Sequence, residues 1–203
     1  MDTVKHKILD RIQRDGHGKA YSPKDFLDQG SRGSVDVALS QLVDAGAIRR
    51  VTRGIYDYPR PGTLMPEPLS PDLTEVARAI ARKHGWRILA AGAHAANALG
   101  LSTQVPAKAV YLSDGPTRSI KLGRRTIQFK HAEPKTLGAA SDVNGLVIQA
   151  LRQIGRNGVT DAMIRRIARV LSKPDQDELL RDTQYSTGWI HEAAKKIVAE
   201  GNK

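Results

Sequence analysis

The chain has no cysteine. Disulfides, cysteine-zinc sites and thiol catalysis are therefore excluded. Aromatic residues make up only 4% of it, so its core must be mostly aliphatic. No segment comes near the run of about 18 apolar residues that a membrane helix needs. The start, MDTVKHKILDRIQRD, is polar and amphipathic and lacks the apolar stretch of a signal peptide. A soluble cytoplasmic protein is the expectation. Carboxylates are also scarce: 21 Asp and Glu stand against 32 Lys and Arg, a net charge of +11. That excess favours a polyanionic partner, although ribosomal and membrane-surface proteins carry similar charge.

The usual catalytic signatures are missing as well. There is no P-loop, no GxGxxG following a strand, no HExxH and no GxSxG. His6, His17, His84, His94, His131 and His191 are scattered, with no pair at metal-ligand spacing. A magnesium-dependent enzyme needs clustered carboxylates. Glu133 and Asp142, nine residues apart, form no recognised motif. The expectation is a protein that is not an enzyme, with no catalytic residues, metal or cofactor.

What is present lies mainly in the first third. Val4, Ile8 and Ile12 recur at helical spacing and predict a helix over residues 3–14, ended by Asp15, Gly16 and Gly18. Ser22, Pro23 and Asp25 read as cap, first position and acidic first turn of a short second helix, with Phe26 and Leu27 inward. A third helix starts near Ser31 or Ser34. Val35, Ala38, Leu39, Leu42 and Val43 form its inner stripe, and Gly46 its stop. Its opposite face carries Arg32, Ser34, Asp36, Val37, Ser40 and Gln41. Arginine pairs best with guanine and glutamine with adenine. Asp36 must accept from a cytosine or orient an arginine to be tolerated there. A helix with one polar face is also what simple solvation produces.

The hairpin that follows adds weight. Ile48, Val51, Ile55 and Tyr58 are the apolar strand positions, and Arg49, Arg50, Thr52, Arg53 and Gly54 lie between them. From Ala45 to Pro66 the only carboxylate is Asp57. Helix, strand, basic turn and strand is the order of a winged helix-turn-helix, whose recognition helix enters the major groove while the wing holds phosphate. An exposed basic hairpin without a ligand is the alternative. The expected DNA-binding residues are Arg32, Ser34, Asp36, Ser40, Gln41, Arg49, Arg50, Thr52 and Arg53.

The run ALSQLVDAGAIRRVTRGIYDYPR, Ala38 to Arg60, resembles the N-terminal winged helix of the AbiEi-type antitoxins. These belong to bacterial type IV, abortive-infection toxin–antitoxin systems. The C-terminal helical ending around GVTDAMIRRIARVLS, with Trp189 in the last helix, is similar too. The resemblance implies a repressor that binds repeats in its own promoter through the N-terminal domain. It also implies a C-terminal domain that counters a cognate nucleotidyltransferase-like toxin, without need of a stable complex.

Residues 59–72, PRPGTLMPEPLSPD, hold half of the chain's 10 prolines. Proline fixes φ and removes an amide donor, so this reads as an extended linker between two domains, 1–58 and 73–203. The second domain opens with a helix from Leu73 to His84. A short helix rich in small residues follows, with His94 and Asn97 read as structural. Residues 108–131 then read as an antiparallel meander with a Gly123-Arg124 turn. Helices carrying Val143 to Ile154, Asp161 to Leu171, Pro174 to Leu180 and Trp189 to Ile197 complete an α+β domain. Residues 1–62 carry a net charge of +3, 63–138 of +6 and 139–203 of +2. The largest excess thus falls on the expected meander, at Arg118, Lys121, Arg124, Arg125 and Lys130. Three explanations compete for that surface: contact with DNA flanking the site, binding of RNA such as a toxin's tRNA or nucleotide substrate, and a solvated basic face. An RNA-binding module is the alternative function.

Overall fold

Thr3 caps the first helix: its hydroxyl accepts the His6 N–H at 3.3 Å and starts α1 (Val4–Asp15). The structure is a computed structural model. It describes residues 3–62, 67–103, 106–133, 137, 142–184 and 186–202, leaving aside the Asp142 side chain. Ile8 and Ile12, one helical turn apart on α1, have no exposed surface. Gly16 ends the helix at φ +87°, which glycine adopts without steric cost. A two-residue strand β1 (Ala20–Tyr21) leads into a single 3-10 turn, Pro23–Phe26. There the Asp25 carboxylate accepts from the Ser22 N–H at 2.7 Å. Helix α2 (Arg32–Asp44) follows with Ser31 as its cap, then the hairpin β2 (Arg49–Thr52) and β3 (Ile55–Asp57). Phe26, Val35, Leu39 and Leu42 join Ile8, Ile12 and Ile48 in one aliphatic core. Burying each such side chain contributes about 1.5–3 kcal/mol before entropy is counted.

One expected inward residue is corrected. Leu27 is 46% exposed. The segment is a 3-10 turn rather than an α-helix, and three residues per turn swing position 27 away from the side that buries Phe26.

The three strands form a sheet in the order β1-β3-β2, both pairs antiparallel. β1 has no counterpart in the sequence reading, since two residues are too short to show alternation. Its pairing with β3 continues through Gly18 N–H to the Tyr58 carbonyl, 2.6 Å, and Tyr58 N–H to the Lys19 carbonyl, 3.1 Å.

The proline-rich segment forms neither helix nor strand in its described residues, and residues 63–66 lie outside them. It does not mark the division between compact units. These are Met1–Trp86 and Arg87–Lys203. The segment is tied to the first unit through the Pro59 carbonyl, which bonds His17 Nδ1 at 2.6 Å, and is held to itself by Leu69 N–H donating to the Arg60 carbonyl at 2.9 Å and by Arg60 pairing with Asp72 at 3.4 Å. Helix α3 (Leu73–His84) then packs on β1, β3 and the 3-10 turn. Arg82 anchors it by donating to Asp25 Oδ1 at 3.0 Å and to the Ala20 carbonyl at 2.8 Å. The expected boundary at 59–72 is therefore displaced by one helix.

The second unit starts with β4 (Ile88–Ala91) and α4 (Gly92–Ala98). Three strands follow, β5 (Lys108–Ser113), β6 (Arg118–Leu122) and β7 (Arg125–His131). Their order is β4-β5-β7-β6, and β5 runs parallel to β7. The expected meander is corrected here: only its second half, the β6–β7 hairpin closing at Leu122 and Arg125, is formed. The short loop 114–117 bridges the end of β7 instead of reversing beside β5. His131 N–H donates to Thr117 Oγ1 at 3.0 Å, and Ala132 N–H to the Ser113 carbonyl at 2.8 Å. Ile127 and Phe129 on β7 are fully buried, which suits an interior strand, while β6 lies at the edge.

Among the described residues four α-helices complete the unit: α5 (Asp142–Ile154), α6 (Asp161–Val170), α7 (Lys173–Thr183) and α8 (Gly188–Gly201). Thr160 and Ser172 cap α6 and α7 through their side chains. α4 and α5 lie against the sheet, and α6, α7 and α8 build a helical core with them around Leu99, Leu151, Ile167, Leu179 and Ile190. The architecture is α+β, as expected. No helix among the described residues is long and apolar enough to cross a membrane.

Candidate nucleic-acid interface

Helix α2 shows its outer side through Arg32, Asp36, Val37, Ser40 and Gln41, all exposed. Arg32 Nε donates to Asp36 Oδ2 at 2.8 Å across one turn, so this carboxylate is neutralised by its neighbour; a second carboxylate, Asp44, is exposed on the same side at the end of the helix. Ser34 is half-buried and serves the helix start: its Oγ donates to the Ser31 carbonyl at 2.8 Å, and its N–H donates to Ser31 Oγ at 3.3 Å. Ser40 and Gln41 present on the same side a hydroxyl and an amide with no hydrogen-bond partner among the described residues.

The hairpin splits the three arginines. Strand residues alternate sides. Arg49 stands opposite Asp57 and Arg50 opposite Tyr56. Arg49 forms two bonds to the Asp57 carboxylate, Nε to Oδ1 at 3.0 Å and Nη2 to Oδ2 at 2.6 Å. It is thus committed to the fold. Arg50 and Arg53 are exposed, and Thr52 is half-buried. At the tip Gly54 has φ +70°, a conformation that lets the chain turn in two residues between Thr52 and Ile55. The Lys83 ammonium donates to the Arg53 carbonyl at 3.1 Å and adds a third cation at this tip. Sequence reasoning missed Lys83 because it arrives from α3, thirty residues away and across the proline-rich segment.

A shallow trough of about 430 Å³ runs along α2 beside the start of α1, lined by Val4, Lys5, Gly33, Val37, Ala38 and Gln41 among others. Val37, 58% exposed, is its most prominent apolar side chain.

The basic residues of the second unit do not gather on one surface. Arg118 pairs with Phe129 and Leu122 with Arg125, so Arg118 and Arg125 share the side of the sheet that buries Ile127 and Phe129. Lys121 pairs with Thr126, and Lys130 stands four residues further along β7, both on the opposite side. Arg124 sits in the turn between β6 and β7. The expected patch is two sets of cations on two faces. His94 bonds the Tyr111 hydroxyl at 2.7 Å, and Asn97 donates to the Ser102 carbonyl at 3.1 Å. Among the described residues no group of three or more His, Asp or Glu is placed to hold a metal ion. Of the Glu133 and Asp142 pair, the Asp142 side chain lies outside the described residues.

No curated protein sequence matches the chain. Among solved structures, the RV2827C protein from Mycobacterium tuberculosis aligns with all of this chain and 78% of its own, at 14% identity and a TM-score of 0.44. That likeness is too loose to carry anything across. A family match spans residues 7–179, and the chain belongs to that family, described as a family of unknown function (DUF6088).

Proposed function

We propose that the first unit is a winged helix-turn-helix that binds double-stranded DNA, with α2 in the major groove and the β2–β3 hairpin on the adjoining phosphates. One observation carries the reading: an exposed α2 face bearing Ser40 and Gln41, with Asp36 paired to Arg32, stands in the same unit as a hairpin with Arg50, Arg53 and Lys83. The helix offers base-edge chemistry and the tip offers phosphate chemistry, the division of labour that sequence-specific binding needs. Of the nine residues expected to touch DNA, Arg49 is assigned to the fold and Ser34 to the helix cap. Arg32 and Asp36 act as a pair.

The resemblance to AbiEi-type antitoxins extends the proposal. The protein would be the autorepressor and antitoxin of a type IV system, acting on promoter DNA and countering a nucleotidyltransferase-like toxin through its second unit. The RNA-binding alternative needed one basic surface, and the strand register divides those cations between two.

The test is binding to the DNA upstream of its own gene, across a range of salt concentrations. Affinity well above that for a random duplex, falling steeply with salt, is expected. Equal affinity for both would sink the proposal. The antitoxin role predicts a nucleotidyltransferase-like gene beside its own, whose toxicity co-expression of the full chain should relieve; absence of such a gene, or failure to restore growth, would remove that half.

A further inference from the structure

Val37 stands out on α2. It is the most exposed of the large hydrophobic side chains among the described residues, at 58%. Its neighbours one turn away are Gly33 and Gln41, so the line Gly33, Val37, Gln41 runs along one side of the helix at i, i+4 and i+8. Gly33 has no side chain, and a Cβ built there would meet nothing within 4 Å. That end of the face is therefore low and open. The same three residues line the trough beside α1, with Lys5 on the other wall. Asp36, the nearest carboxylate in the sequence, is paired with Arg32.

We infer that Val37 contacts the 5-methyl group of a thymine and is a specificity-determining residue of the interface; this rests on the DNA-binding reading above. In the major groove a T·A pair presents one apolar group, the thymine methyl, next to the O4 acceptor, while adenine presents N6 and N7. A branched aliphatic side chain without polar atoms can gain only from the methyl. Gln41, one turn on and about 6 Å away, carries the amide that pairs bidentately with adenine. The two side chains are thus suited to the two halves of A·T pairs, and the low edge at Gly33 lets the base edges approach. Lys5 supplies a cation within reach of the flanking backbone. A solvated helix face gains nothing from an exposed valine, whereas a face that reads thymine does.

The experiment uses the full chain. Duplexes are selected from a randomised pool, and the winner is remade with deoxyuridine replacing each thymine in turn, which removes only the methyl. Affinities are measured for the wild type and Val37→Ala. At one or two positions deoxyuridine should weaken the wild type about fourfold, the factor for losing one buried methyl group. Val37→Ala should bind the thymine duplex about as weakly and show no further loss with deoxyuridine. A wild type insensitive to every deoxyuridine, or a Val37→Ala variant that still loses the same factor, overturns the inference and leaves the DNA reading standing. If no duplex is enriched over the starting pool, the DNA reading fails and takes this inference with it.

Discussion

Arg49 and Asp57 face each other across the β2–β3 hairpin and join through two parallel hydrogen bonds, with the Asp57 side chain only 2% exposed. A planar guanidinium matched to a carboxylate in this way is geometrically demanding and strong. Arg50, the next residue, points to the other side. Two adjacent arginines therefore do different jobs.

The first prediction separates those jobs. Arg49→Ala leaves a buried carboxylate without its partner and should cost about 2–3 kcal/mol. That is below the ~3–5 kcal/mol of a fully enclosed pair, because a third of the Arg49 side chain is exposed. Arg50→Ala and Arg53→Ala should melt within a degree or two of the wild type and bind DNA more weakly across all sequences. Each should also flatten the dependence of log affinity on log salt by about one unit. Thermal unfolding beside salt titrations of binding checks both halves. Arg49→Ala melting like the wild type would remove the structural assignment.

Gln41→Ala should behave differently. Loss of a bidentate adenine contact costs about 1–3 kcal/mol of discrimination at one base pair and little elsewhere. Repeating the duplex selection with the variant should relax the preference at one position. A uniform loss at every position would assign Gln41 to the phosphates instead.

The hairpin tip depends on Gly54. Its φ of +70° is one that side chains with a Cβ rarely adopt, and a Cβ there would come within 2.8 Å of the Lys83 ammonium. Gly54→Ala should destabilise the first unit by about 1–2 kcal/mol, read from denaturant unfolding. Because it also displaces Lys83, DNA affinity should drop beyond what lost stability explains.

Asp182 on α7 gives a pH-dependent test in the second unit. Burial raises its pKa, and Glu178 one turn earlier adds to the rise, while a hydrogen bond from Asn144 works against it. Its Oδ2 is buried with no partner among the described residues. A carboxyl whose folded pKa is raised holds its proton more tightly folded than unfolded. Stability then falls as pH climbs from the unfolded value, about 3.9, to the raised folded value. Asp182→Asn should therefore melt higher than the wild type at neutral pH, with the gap closing at acidic pH. A lower melting temperature at neutral pH would show that the charge is used.

The middle of the second sheet offers a stability probe. Phe129 is fully buried on β7, between β5 and β6. Phe129→Ala should cost about 3–5 kcal/mol. Val110→Ala, on the half-exposed side of β5, should cost far less. Equal effects would contradict the interior placement of β7.

Most helices were legible in the sequence, because their causes are local. Asp72 and Gly85 bracket α3, Thr160 opens α6, and the stripe from Ile8 to Ile12 names the buried side of α1. Capping and a period of 3.6 act within a few residues of chain. The outer face of α2 could be read for the same reason, since naming the buried stripe names what remains. Arg32, Ser40 and Gln41 stand where the pattern put them.

Tertiary structure decided what depends on partners distant in sequence. Whether Arg49 meets solvent or Asp57 depends on strand register, and a shift of one residue would exchange it with Arg50. Whether β7 lies beside β5 depends on the loop 114–117 reaching across the end of β7, which turn residues alone do not announce. Lys83 reaches the hairpin tip only because Arg82 locks α3 onto Asp25 and Ala20. The sequence by itself determined the helices, their caps and the exposed face of α2, through interactions within a turn or two. Folding decided which cations remain exposed and which sheet face each occupies, because side-chain pairing across strands is set by contacts that no local pattern records.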